Sequence, residues 1–252
     1  MRHAKKTEDI LPGRNAVIEA IRASRPINKL LVAKSASFES SLRKLIFLAR
    51  EKYIPVQQVE QTYLDKMFPG VAHQGVVALA SAKEYVTIEH ILAKAKEENP
   101  LLLFLDEITD PRNFGAIVRT AVAAGAHGVI IPRHRTAPVT PAVAKAAAGA
   151  LEYALIARVA NLTQTIMYVQ RHGIWAVGAD AAAKDVFWDV NLTVPLALII
   201  GGESKGLGHL VRQKCDLLVR LPMTEKVSSL NAGVAAALLI YEVLRQRRSA
   251  KQ

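Results

Sequence analysis

Two hydrophobic rhythms alternate along the chain. Short uninterrupted apolar runs, LLLFL at 101–105, GVII at 128–131, LALII at 196–200 and LLVRL at 217–221, have the length and composition of buried strands. Between them, apolar residues recur at helical spacing. The pattern predicts strand 101–105, helix 113–125, strand 128–131, helix 140–149, strand 153–158, helix 163–172, strands 174–177, 196–200 and 217–221, and a final helix over 230–247. Strands alternating with helices argue for an α/β fold built on a parallel sheet covered on both faces. Upstream, residues 14–23 and 38–51 have helical spacing, while 30–32, 55–59 and 76–79 read as short strands of a smaller α/β unit. The apolar pattern lapses after Ser81, and a polar helical stretch over 89–100 stops at Asn99 and Pro100. The expected organisation is a domain over 8–82, a linker over 83–98 and a second domain over 99–252.

Composition narrows the partners. The 252 residues are 51% apolar, ample for cores of this size, and carry a net charge of +11 that favours polyanions such as nucleic acid. Residues 1–85 hold 14 basic and eight acidic side chains and the remaining 167 hold 19 and 14, so the smaller domain is the more basic per residue. A single cysteine, Cys215, excludes an intramolecular disulfide and a multi-thiolate metal site. No metal is expected, and a cytoplasmic location fits. The basic residues before position 7 are not followed by an apolar signal core, and the longest apolar stretch, 232–241, is too short for a membrane span. That stretch is apolar on nearly every side, so the helix it forms needs cover all round, which a second subunit supplies.

Three polar clusters follow three of the buried runs, where an open parallel sheet places its ligands. After the first come Asn113, Gly115 and Arg119; after the second Gly201, Gly202, Glu203 and Gly206; after the third Ser228, Ser229, Leu230 and Asn231. Each has a plain structural explanation. Asn113 suits a helix N-cap, Arg119 a surface ion pair, Glu203 the N-terminus of a helix near Leu207, and Ser228 or Ser229 the cap of the last helix. Arg119 equally suits a phosphate through its forked donors, and the two adjacent glycines can turn the chain sharply and leave backbone groups free for a ligand. The glycine spacing fits neither a P-loop nor the dinucleotide fingerprint.

Taken in order, Asn-x-Gly-x-x-x-Arg, Gly-x-Glu-x-x-Gly and Leu-Pro followed by Ser-x-Asn resemble the SpoU (TrmH-like) family of RNA ribose 2'-O-methyltransferases, over about residues 99–248. Gly13-Arg-Asn and His73-Gln-Gly-Val-Val further resemble the ends of the small L30e-like RNA-binding domain of RlmB-type members, which modify a guanosine in the peptidyl-transferase region of 23S ribosomal RNA. The resemblance implies a trefoil-knotted (SPOUT) methyltransferase domain, S-adenosylmethionine as cofactor, ribosomal RNA as substrate and a homodimer. It also implies that Asn113, Arg119, Glu203, Ser229 and Asn231 act in catalysis, and that Gly178, Ala179, Gly201, Leu221 and Leu230 hold the cofactor. Arginine is a poor base, so Arg119 is expected to stabilise developing alkoxide and bind a phosphate. The alternatives are a guanosine 2'-O-methyltransferase acting on tRNA, an RNA-binding relative without turnover, and a nucleotide-dependent oxidoreductase. The last lacks the glycine fingerprint.

Overall fold

The computed structural model describes residues 8–37, 39–96, 98–224, 226–227 and 229–250. In chain order the elements are β1 (Glu8–Pro12), α1 (Arg14–Arg22), β2 (Ile27–Ala33), α2 (Ser40–Glu51), β3 (Val56–Val59), α3 (Gln61–Met67), β4 (Val76–Ser81), α4 (Ile88–Lys94), β5 (Leu101–Asp106) and α5 (Pro111–Ala123). There follow β6 (Gly128–Pro132), α6 (Pro141–Ala147), β7 (Ile156–Val159), α7 (Leu162–Gln170), β8 (Trp175–Ala179), β9 (Asp185–Val186), β10 (Leu196–Gly201), α8 (His209–Lys214), β11 (Leu217–Arg220) and α9 (Ala232–Ser249). Among the described residues they form two compact units, one within 8–84 and 139–153, the other within 85–138 and 154–250.

In the first unit the strand order is β1-β4-β2-β3, with β4 antiparallel to both neighbours and β2 parallel to β3. Leu31, Val59, Leu64, Phe68 and Val77 form a core on this sheet. The two signature segments have structural work there. Gly13, at φ 94°, precedes α1, and the buried Arg14 guanidinium donates to Glu39 Oε2 at 2.8 Å and to Ser41 Oγ at 3.1 Å. His73 is buried; its Nδ1 accepts the Gly75 N–H at 3.1 Å, so Nε2 carries the proton and donates to Asp65 Oδ1 at 3.1 Å.

The second unit is a seven-stranded sheet, order β7-β6-β5-β10-β8-β11-β9, with every pair parallel. All six residues of β5 are buried, which is why it reads as a continuous apolar run. Ile88 and Ile91 of α4 join Leu102, Phe104 and Ile130 in the core of this unit, so the stretch between the two sequence domains contributes a packed helix. Gly128 is required beneath it: a Cβ there would lie 2.6 Å from the Ile91 side chain. Because β10 lies between β5 and β8, the connections diverge on its two sides, and the crevice at the carboxyl ends of these strands is a topological switch point.

Boundaries shift for local reasons. α5 starts at Pro111, two residues earlier than expected, because Asp110 caps it, accepting the Arg112 N–H at 2.8 Å. α9 starts at Ala232 because Asn231 is its cap. β1, α3 and the two-residue β9 have too few apolar positions to announce themselves in the sequence.

Candidate functional site

The three polar clusters meet at one point on the switch edge. Glu203 Oε1 accepts Asn113 Nδ2 at 2.6 Å, Asn231 Nδ2 at 2.6 Å and the Ala232 backbone N–H at 3.1 Å. Asn231 Nδ2 also donates to Asn113 Oδ1 at 2.9 Å. The other end of Asn231 caps α9, its Oδ1 accepting the N–H groups of Gly233 at 3.0 Å and Val234 at 3.3 Å. One amide thus serves two purposes, helix start and site.

This geometry decides which of these residues cap helices. Asn113 lies in the first turn of α5, where Asp110 already provides the cap, so its amide is free for Glu203 and Asn231. Glu203 does not serve the helix expected near Leu207, since α8 begins at His209; the helix N-terminus it meets is that of α9, through the Ala232 N–H. The α9 cap is Asn231 and not Ser229, while Ser228 lies outside the described residues.

The glycines do something other than expose backbone. Neither Gly201 nor Gly202 has positive φ. A Cβ on Gly201 would sit 2.2 Å from the carbonyl carbon of Gly206, and one on Gly202 2.7 Å from the Glu107 oxygen. The loop folds back on β10, with Gly206 N–H donating to Gly202 O at 2.8 Å, and Gly206 supplies the positive φ of 62°.

Beside this loop lies a cavity lined by Ala179, Gly201, Leu221, Ser229 and Leu230, with Ile200, Val219 and Met223 adding apolar surface and Asp180 and Glu203 adding carboxylates. Four of the five residues expected to hold a cofactor are therefore together. The fifth, Gly178, lies outside that lining, inside β8, where a Cβ would meet Cys215 Sγ at 2.7 Å. Burial pushes the Cys215 thiol up to about 12, which makes it a packing group and not a nucleophile. Asp180, which sequence reasoning passed over, is paired with Arg212 at 2.7 Å.

A second, polar hollow of about 360 Å³ adjoins the first and shares Gly202, Glu203 and Ala232 with it; Glu107, Asn113 and Lys205 complete its polar wall. Asp106, at the end of β5, is buried with its Oδ2 accepting the Gly208 N–H at 2.8 Å, and burial raises its carboxyl pKa. No sequence pattern had singled it out.

Arg119 stands apart from the network. It is exposed on α5 and makes no hydrogen bond or ion pair with another described residue. It lies one turn beyond Ala116, which lines a broad apolar hollow with Val234, Leu238 and Tyr241 of α9. Those three α9 side chains are about half exposed at 49%, 45% and 50%.

A family model described as the SpoU rRNA Methylase family matches residues 100–241, and one described as RNA 2'-O ribose methyltransferase substrate binding matches residues 10–86. A protein assigned to the TrmH family of tRNA/rRNA methyltransferases, YacO of Bacillus subtilis (strain 168), is 46% identical over 241 residues, covering 95% of this chain and 96% of that protein. A counterpart in Staphylococcus aureus (strain COL), assigned to the same family, is 40% identical over 242 residues, covering 95% and 97%. The crystal structure of the SpoU methyltransferase AviRb from Streptomyces viridochromogenes in complex with the cofactor AdoMet superposes with a TM-score of 0.81 at 29% identity, covering 96% of this chain and 91% of that one.

Proposed function

Because the chain belongs to the SpoU (TrmH-like) family of RNA methyltransferases, we propose that it moves a methyl group from S-adenosylmethionine to the ribose 2'-hydroxyl of a guanosine in the peptidyl-transferase region of 23S ribosomal RNA. The observation that carries this reading is the convergence of Asn113, Glu203 and Asn231 beside a mostly apolar cavity on the switch edge. The match of residues 10–86 to a substrate-binding family supports an RNA-gripping first domain, and the basic surplus of that part agrees; the Gly13-Arg-Asn and His73-Gln-Gly-Val segments are what favour ribosomal RNA over tRNA in this reading.

The cavity fits the cofactor chemically. Ala179, Ile200, Leu221 and Leu230 suit a flat nucleobase, and the Glu203 carboxylate suits a sulfonium cation, since Asp180 is already satisfied by Arg212. When bound, the cofactor supplies a methyl group electrophilic enough for direct displacement. The chain's own part is to position and to manage charge. Asn113 and Asn231 fix Glu203 Oε1, which orients the loop 201–206 and leaves Oε2 for a ligand, Glu203 lining both hollows. The polar hollow takes the ribose, and Lys205 and Arg119 stabilise its phosphate and the oxygen as its proton passes to solvent water.

Arg119 reaches that role through a homodimer. The half-exposed apolar face of α9 calls for cover, and Arg119 borders the same face, so packing two such faces carries each Arg119 towards the joint site. A trefoil knot, in which the chain near the second and third clusters threads to make the cofactor pocket, and an L30e-like first domain over 8–82 with a linker over 83–98, complete the proposed architecture. A cytoplasmic location completes the reading; no helix among the described residues is long and apolar enough to cross a membrane.

The test is tritiated methyl transfer to total RNA from cells lacking the gene, followed by nuclease mapping. Label in a 2'-O-methylguanosine of the 23S peptidyl-transferase region is expected. Label in tRNA establishes the alternative substrate, and no label in any RNA establishes a binding protein without turnover. Light scattering at micromolar concentration should give a dimer mass.

A further inference from the structure

A third hollow, of about 350 Å³, lies at the carboxyl ends of β5, β6 and β7 and has no part in the site described so far. Resting on the methyltransferase reading above, we propose that it is a second nucleotide subsite, which holds an unstacked base flanking the methylated nucleotide in single-stranded RNA.

Its position is the first argument. It shares no residue with the cofactor cavity, and meets the polar ribose hollow at Glu107, which lines both. The ribose hollow stands over β5 and β10, and the third stands over β5, β6 and β7. With strands about 4.8 Å apart, the centres are one and a half strand spacings, roughly 7 Å, apart along the sheet edge, the reach of a neighbouring nucleotide in an unstacked strand. An RNA strand lying along this edge crosses the two hollows in turn.

Its chemistry is the second. The lining presents His134, Arg135, His209 and Leu210, all exposed, with Leu210 at 65% despite being a large apolar side chain. Histidine rings, a guanidinium plane and an apolar surface in one concavity are the groups on which proteins stack splayed RNA bases. They are available to do so. His134 makes no hydrogen bond or ion pair with another described residue, and His209 meets only Gln213 Nε2 at a weak 3.4 Å. The buried Asp106 carboxylate forms part of the floor and offers a base edge a hydrogen-bonding group.

Arg135 is the third. Its side chain is 79% exposed and, among the described residues, is held by a single polar contact, Nη1 donating to Glu107 Oε1 at 3.1 Å. Both partners adopt positive φ, 62° for Arg135 and 56° for Glu107, a costly conformation for residues with a Cβ, so the rim between the two hollows is fixed in shape. A phosphate presents the guanidinium with better forked acceptors than one carboxylate oxygen, and the RNA backbone passing from one hollow to the next takes Glu107's place.

The experiment uses the full chain and a 23S rRNA fragment spanning the peptidyl-transferase region, carrying 4-thiouridine or a single abasic site at positions next to the methylated guanosine. Crosslinks from one flanking position to peptides containing residues 133–136 or 208–211 are expected. A double substitution His134→Ala, His209→Ala should weaken RNA binding about 5- to 100-fold in fluorescence anisotropy, the range for losing base stacking, and Arg135→Ala should lower the salt dependence of binding. Calorimetric affinity for S-adenosylmethionine should not change in any of them, and an unchanged melting temperature checks that they fold. Placing the abasic site at the contacting position should erase the difference between wild type and double variant. If the wild type methylates the RNA while the double variant binds it within twofold, and the crosslinks fall elsewhere, the subsite is refuted and the methyltransferase reading stands. If the wild type neither binds nor methylates the fragment, the substrate reading itself has failed, and the subsite with it.

Discussion

Asn231 offers the sharpest test because its two ends do different things. Its Oδ1 caps α9, and its Nδ2 ties Glu203 to Asn113. Removing a good N-cap costs about 1 kcal/mol, and each of the two donated hydrogen bonds contributes roughly 0.5–1.5 kcal/mol, nearer the lower end at a partly hydrated site. Asn231→Ala therefore loses about 2–3 kcal/mol, which for a chain of this size lowers the melting temperature by roughly 5–10 °C. Asn231→Ser keeps a capping oxygen and loses only the donors, so it should melt about 2–4 °C above the alanine variant. Asn113→Ala, with no cap to lose, should resemble the serine variant in stability. All three should lose methyl transfer by at least about tenfold, the equivalent of 1.4 kcal/mol in the transition state. Differential scanning fluorimetry with the tritium assay reads both quantities. Serine and alanine variants melting within a degree of each other would show that Asn231 does not hold the helix start, and near-wild-type turnover in the serine variant would sink the role given to the three-residue network.

Arg119→Ala should abolish methylation while calorimetric affinity for S-adenosylmethionine stays the same, since Arg119 is absent from the cofactor cavity; retained turnover removes it from the mechanism. Gly201→Ala drives a Cβ into the Gly206 backbone and should cost more than Gly206→Ala, which meets open space and pays only for its positive φ, about 1–2 kcal/mol; equal melting temperatures would contradict the close packing of that loop. Asp106 gives a pH signature. Burial raises its folded pKa above the unfolded value, so the folded state holds the extra proton in the window that opens at the ordinary carboxyl value of 3.8, and stability falls as pH rises through that window up to the folded pKa and is level above it. The difference in unfolding free energy between wild type and Asp106→Asn, followed by urea titration, should slope in that direction above pH 4, and a flat difference refutes it.

Much of the second unit was legible in the chain because burial on both faces of a parallel strand leaves a mark every residue carries, as in the six buried positions of β5. The three clusters were legible too, as polar residues placed where such strands stop. Their order along the chain supplied the family resemblance, and the family models match the same stretches. Short elements such as β9 were not legible, since two residues hold no period.

The sequence by itself determined which segments must be buried and which side chains stand at the ends of those segments, because both follow from local spacing and from the polarity of each residue. The tertiary structure alone decided what those side chains do. Asn113 and Glu203 are 90 residues apart, and Asn113 and Asn231 are 118 apart, so no local pattern says that one carboxylate oxygen gathers both amides. Which residue caps a helix was settled the same way, for the first candidate in line yields wherever a neighbour already satisfies the free N–H groups. Gly201 was expected to bare its backbone and instead admits another strand of the loop, a distinction that exists only once the chain has folded back to within 2.2 Å of where a Cβ would stand.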